Sequence, residues 1–256
     1  MLELIPHDTI HELRLARPPV NALDPALVRA LREAVEAAPR DGARALLLSG
    51  APGMFSAGLD VPALLQLDRT AMRAFWVDFF GLCAALARSP IPVAAAISGH
   101  SPAGGAVLAI LCDYRVMARS VDPAKPFRIG LNEVQVGLVV PDVIQAALRR
   151  LVGTYRAERL MVAGAMVSAE EALPLGFVDE LAEVAQVGER ARTWLNSLLA
   201  LPPHALAETR RLARADLAAA FADPSTFGID DFVEGWFAPE TQAVLGALVA
   251  RLKSKA

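Results

Sequence analysis

Lysine is almost missing from this chain. Only Lys125, Lys253 and Lys255 occur, and scattered arginines carry the rest of the positive charge. The net charge is −3. No clustered basic face follows from that distribution, so nucleic-acid binding is not expected. Cysteine is as scarce. Cys83 and Cys112 stand in apolar company with neither metal-ligand spacing nor a disulfide framework, and both read as buried structural thiols. Charged residues make up 21% of the chain against 54% hydrophobic. That is enough apolar material for a sizeable core, which excludes a disordered chain. No basic region followed by an apolar core opens the sequence. No apolar run reads as long enough to cross a bilayer, and no repeat recurs at solenoid periods. The expectation is a soluble, cytoplasmic protein with no membrane partner.

What is present centres on Ile91–Ala118, IPVAAAISGHSPAGGAVLAILCDYRVMA. A β-branched apolar run ends at Gly99, a turn-rich segment follows to Gly105, and a small apolar helix begins. The first N–H groups of a helix have no partner inside it. Gly104 and Gly105 would let a ligand approach them closely. Two readings fit: a site for an oxygen that becomes anionic, or a tight junction that needs small residues. A second small-residue turn, Met54–Asp60 (MFSAGLD), follows the apolar strand Ala45–Ser49. It offers accessible N–H groups at Ala57 and Gly58.

The other elements follow from local signals. Leu2–Ile5 and Ile10–Leu15 read as a hairpin around Pro6-His7-Asp8. Asp24-Pro25 opens a helix. Asp68–Ala87 reads as a long amphipathic helix, with Met72, Phe75, Trp76, Phe79, Phe80, Cys83 and Leu86 along one side. That stripe reads first as core and second, through Phe79, as the wall of an acyl-chain pocket. Asp113–Ala118 is a strand, 119–127 a polar loop, and Asp142 the cap of a helix ended by Gly153. Ser168–Glu171 forms a capping box, and Phe177-Val178-Asp179 is a last short strand. After Glu183 only helices follow. Strands alternating with helices and then helices alone predict an α/β body with a helical C-terminal part. The division expected is 1–195 for the body and 196–256 for the helical region.

Three segments together resemble the crotonase, or enoyl-CoA hydratase/isomerase, superfamily: Met54–Asp60, Ser98–Asp113 (SGHSPAGGAVLAILCD) and Ile129–Pro141 (IGLNEVQVGLVVP). The likeness is greatest to the mitochondrial type of Δ3,Δ2-enoyl-CoA isomerase. The resemblance implies a spiral of ββα units with a C-terminal α-helical oligomerisation region. It implies a homotrimer or hexamer and an acyl-CoA thioester as substrate. No separate cofactor is implied, since coenzyme A is part of the substrate. It also implies an oxyanion hole made by the N–H groups of Ala57 and Gly104. Ala57, Gly58, Leu59, Asp60, Val61, Gly104 and Asn132 are the implied substrate-binding residues.

Hydratases of the superfamily place one glutamate shortly after the glycine turn and a second downstream. Here the first position falls on Val107 and the second on Glu133. One carboxylate without its partner suits a proton shuttle better than water addition. The expected reaction is conversion of 3-enoyl-CoA to 2-trans-enoyl-CoA in fatty-acid β-oxidation, Glu133 moving a proton from C2 to C4. Another crotonase reaction (hydration or decarboxylation) or a non-catalytic acyl-CoA-binding role is the alternative. Asp142 and His100 are the two groups able to supply a second acid. Asp60 and Asp113 read as supporting residues. Arg251, Lys253 and Lys255 read equally as phosphate contacts and as a solvated tail. The 119–127 loop is longer than in the isomerases it resembles, which leaves its role, including any reshaping of the pocket mouth, open.

Overall fold

The computed structural model describes residues 1–254. β1 (Leu2–His7) and β2 (Ile10–Leu15) pair antiparallel, Leu2 opposite Leu15 and His7 opposite Ile10. The turn between them is Asp8-Thr9, with Asp8 at φ 53°. Asp tolerates that left-handed backbone. The turn expected at Pro6-His7-Asp8 is thus shifted, because Pro6 and His7 continue the strand.

From there each pass of the chain lays down two strands and then helix. β3 (Ala45–Ser49) and β4 (Gly53–Met54) precede the Val61–Leu64 and Arg69–Ala87 helices. β5 (Val93–Ile97) and β6 (Gly99–Pro102) precede the Gly104–Ile110 helix. β7 (Tyr114–Ala118) and β8 (Arg128–Gly130) lead to the Asp142–Val152 and Thr154–Val162 helices. β9 (Val167–Ser168), the Ala169–Leu175 helix and β10 (Glu180–Ala182) end the spiral. The first strand of each of the three ββα passes joins β1, β2 and β10 in a sheet ordered β1-β2-β3-β5-β7-β10, parallel from β2 onward. The second strand of each joins β9 in a smaller sheet ordered β4-β6-β8-β9. This is the ββα spiral expected. Two local readings change. Gly99–Pro102 is a strand and not part of a turn, because it pairs with both β4 and β8. The last strand lies at Glu180–Ala182, pairing with β7, and not at Phe177–Asp179.

Side chains alternate across a strand, and both faces of the large sheet are covered. Leu46 and Leu48 of β3 and Val93, Ala95 and Ile97 of β5 enter the main core. Ala45, Leu47, Ala94 and Ala96 face the other way, onto Val187, Ala191 and Leu195 of the Val187–Leu199 helix. Strands covered on both faces read as continuous apolar runs.

The Arg69–Ala87 helix is capped by Asp68, whose carboxylate accepts from Ala71 N–H at 2.8 Å. Contrary to the sequence reading, it is long and apolar enough by composition to cross a membrane. Its Phe75, Trp76, Phe79 and Phe80 are nevertheless buried in the main core. Leu217, Phe221, Phe227, Val233, Trp236 and Leu245 of the C-terminal helices join the same core. Asp113 ties these helices down. It accepts from Val93 N–H at 2.8 Å, from Arg210 at 2.8 and 2.9 Å and from Arg214 at 3.0 Å.

Candidate active site

Two loops meet at the N-terminus of the Gly104–Ile110 helix. The Met54–Asp60 loop is strapped to the 18–23 segment. Ser56 Oγ donates to the Asn21 carbonyl at 2.7 Å, and Asn21 Nδ2 donates to the Phe55 carbonyl at 3.1 Å. Leu23 N–H donates to Gly58 O at 2.8 Å, and Asp60 N–H donates to Leu23 O at 3.0 Å. Leu23 therefore uses the residues on either side of Leu59, as in a parallel bridge. The Leu59 N–H then points the opposite way, toward Gly104.

Gly58 makes that approach possible. It sits at φ 83°, and a Cβ there would lie 3.2 Å from Gly104 N and Pro102 O. A Cβ on Gly104 would lie 2.9 Å from Leu23 Cδ1 and 3.5 Å from Leu59 N. Ala103, at φ 44° and ψ −117°, holds the helix start in a conformation rare for a residue with a side chain. Among the described residues, neither Leu59 N–H nor Gly104 N–H meets a protein acceptor. Ala57 differs from expectation. Its N–H donates to Val20 O at 2.9 Å and is not free. The pair of open donors is Leu59 and Gly104, not Ala57 and Gly104.

Glu133 opens a short 3₁₀ turn, Glu133–Val136, that follows β8. Gly137 ends the turn in the left-handed region, its N–H returning to the Glu133 and Val134 carbonyls. Glu133 is buried, 9% exposed as a residue, and burial pushes its carboxyl pKa up to about 7. Among the described residues, Glu133 Oε2 and Asn132 Oδ1 are buried acceptors without a donor.

These groups line one cavity of about 790 Å³. Ala57, Leu59, Gly104, Asn132, Glu133 and Val107 all border it. Asp60 and Val61 border it as well, while Gly58 supports it from behind. Asp60 is engaged. It caps the Val61–Leu64 helix through Ala63 N–H at 3.0 Å and pairs with Arg17 at 2.5 Å. Trp76 and Phe79 reach the cavity from the aromatic helix, which supports the secondary reading of that stripe.

The other candidates stand elsewhere. Asp142 is the first residue of its helix and does not cap it. Its side chain is 90% exposed, 3.5 Å from Arg149, and does not border the cavity. His100 accepts from Arg128 N–H at 3.2 Å and packs edge-on against Phe127. Burial and nearby Arg128 lower its pKa, and it too lies off the cavity. No residue of 119–127 borders the cavity. Arg251 borders it, Lys253 ends the last helix, and Lys255 lies outside the described residues. Cys83 and Cys112 are buried free thiols, as expected. No group of three metal-ligating side chains occurs among the described residues.

The sequence reading missed Phe232, Leu248 and Leu252, which close the cavity from the C-terminal helices. Their helical spacing marks them only as core-facing, and nothing local announces which cavity they meet.

This architecture and these loops belong to the enoyl-CoA hydratase/isomerase family, whose pattern the chain matches over residues 6–233. The chain is a member of that enzyme family. It is 33% identical over 245 residues to the mouse protein named enoyl-CoA delta isomerase 1, mitochondrial, covering 95% of this chain and 83% of the relative. It is 36% identical over 205 residues to the probable enoyl-CoA hydratase EchA17 of Mycobacterium tuberculosis, covering 77% and 74%. The crystal structure of human mitochondrial Δ3-Δ2-enoyl-CoA isomerase superposes with a TM-score of 0.92 at 28% identity, covering 99% of this chain and 98% of that one.

Proposed function

We propose that the protein shifts the double bond of a 3-enoyl-CoA to give the 2-trans-enoyl-CoA, in the breakdown of unsaturated fatty acyl chains. The observation that carries this reading is a cavity with one free carboxylate. Glu133 is buried there with its pKa near neutrality, Val107 occupies the neighbouring wall, and Asp60 is held by Arg17.

The chemistry follows from these groups. Glu133 takes a proton from C2, made acidic by the adjoining thioester. The C3–C4 double bond and the released electron pair become a dienolate, with charge on the thioester oxygen. Leu59 N–H and Gly104 N–H are the donors for that oxygen, and one such donor is worth about 3 kcal/mol in the transition state. Glu133 then returns the proton to C4 and the double bond rests between C2 and C3. A carboxylate with a pKa near 7 is suited to both halves, because neither protonation state is costly at neutral pH. Leu59 needs no particular side chain for this role, since its backbone donates. The reading asks for no cofactor beyond the coenzyme A carried by the substrate.

The test is a purified enzyme given a 3-enoyl-CoA and, separately, a 2-enoyl-CoA, each beside Glu133→Gln. Conjugation that disappears in the variant, with little hydration, supports the proposal. Hydration that outpaces conjugation would assign the chain to the hydratase branch, and binding without either reaction would leave an acyl-CoA-binding role.

A further inference from the structure

Thr241 lies on the Pro239–Lys253 helix, yet it is bonded to the turn that carries Glu133. Its hydroxyl donates to the Gly137 carbonyl at 3.0 Å, and the residue is 6% exposed. Gly137 is the residue that closes the Glu133–Val136 turn. The next residue, Leu138, returns its N–H to the Glu133 carbonyl at 3.0 Å. The helix comes close enough that a Cβ on Gly137 would lie 3.4 Å from Thr241 Cα. Among the described residues, no other donor reaches the Gly137 carbonyl. On its far side the turn is held once more, by Gln135 Nε2 donating to Gly164 O at 2.9 Å. Further along the same helix, Leu248 and Leu252 border the cavity.

We infer that Thr241 is a positioning residue for Glu133: its hydroxyl fixes the Gly137 peptide, and through that turn the aim and dryness of the carboxylate. The inference rests on the proton-shuttle reading above. A buried carbonyl that loses its donor turns toward water. Here that rotation loosens the turn and wets the base. The wall helix and the base turn thus form one unit, joined at Thr241. Small displacements of a reacting group are costly. A shift of about 1 Å can lower a rate about a hundredfold.

The test compares Thr241→Val, which keeps the volume and removes the hydroxyl, with Thr241→Ser, which keeps the hydroxyl. Leu245→Val loosens the same helix without touching the Gly137 bond. Two quantities are read: kcat and KM on a 3-enoyl-CoA, and the titration of Glu133 by carboxyl ¹³C NMR without substrate, assigned with Glu133→Gln. Thr241→Val is expected to lower kcat about tenfold with KM within about twofold. Its Glu133 midpoint should fall toward that of an ordinary glutamate. Thr241→Ser should restore both, and Leu245→Val should leave the midpoint in place. An unchanged midpoint in Thr241→Val, or an equal shift in Leu245→Val, overturns the inference. If Thr241→Val does not fold, Thr241→Ala is read the same way. The titration needs no turnover, so a wild type inert toward 3-enoyl-CoA refutes the reaction while leaving the positioning role separately tested.

Discussion

The Arg17 guanidinium meets the Asp60 carboxylate at 2.5 Å, on the rim of the same cavity that holds Glu133. Among the described residues the pair divides the two carboxylates bordering the cavity into different roles. Asp60 holds loop to helix, and among the described residues Glu133 Oε2 has no donor. Asp60→Asn is therefore expected to weaken substrate binding and lower stability while keeping kcat within a fewfold. Glu133→Gln should lower kcat at least about a thousandfold. Steady-state kinetics on both variants decides the assignment, and a catalytic collapse in Asp60→Asn would reverse it.

The acid limb of the reaction should report the same group. Glu133 must be ionised to take a proton, and burial holds its pKa at about 7. The value of kcat/KM should then rise with pH and level off above that midpoint. A midpoint in the ordinary carboxylate range would mean that the base is not this buried group.

Stability should respond in the opposite sense. The folded pKa of Glu133 is raised above its unfolded value, from 4.5 to about 7. The folded state binds its proton more tightly, so this group's contribution is full below the unfolded value and is lost as pH rises through about 7. Glu133→Gln stays neutral and escapes that loss. It should match wild type near pH 3.5 and exceed it above pH 8, by on the order of 3 kcal/mol. Denaturant melts at the two pH values measure the gap, and a constant gap would refute the linkage.

Gly58→Ala tests the meeting of the two loops. The residue sits at φ 83°, and an added Cβ would lie 3.2 Å from Gly104 N. The substitution should cost about 1–2 kcal/mol of stability through backbone strain. It should also lower kcat more than it raises KM, since it pushes apart the two donors. An unchanged kcat would show that the Leu59–Gly104 spacing is not needed.

The ββα spiral and the loops that form the candidate site were legible because their signals are local. Asp24 and Ser168 cap their helices as their positions imply, and Asp68, read as the first helical residue, proves to be a cap as well. Glu133 and Gly104 lie in motifs that the sequence carries intact. The choice between Ala57 and Leu59 was not legible. It depends on which N–H is spent, and that is fixed by Val20 and Leu23 in a distant segment. Asp142 looked like a cap because it follows Pro141, yet Pro141 itself takes the capping position and leaves Asp142 in solvent. The closing wall of Phe232, Leu248 and Leu252 arises only when the C-terminal helices fold back.

The two buried thiols give this fold a built-in clock. Cys83 lies on the aromatic helix and Cys112 just beyond the helix that begins at Gly104, both closed to solvent. Burial pushes the Cys112 pKa up to about 12, so the closed fold holds almost no thiolate at neutral pH. Alkylation therefore waits for the core to open. Its rate at each site, followed by mass spectrometry, times how often the core around that thiol opens.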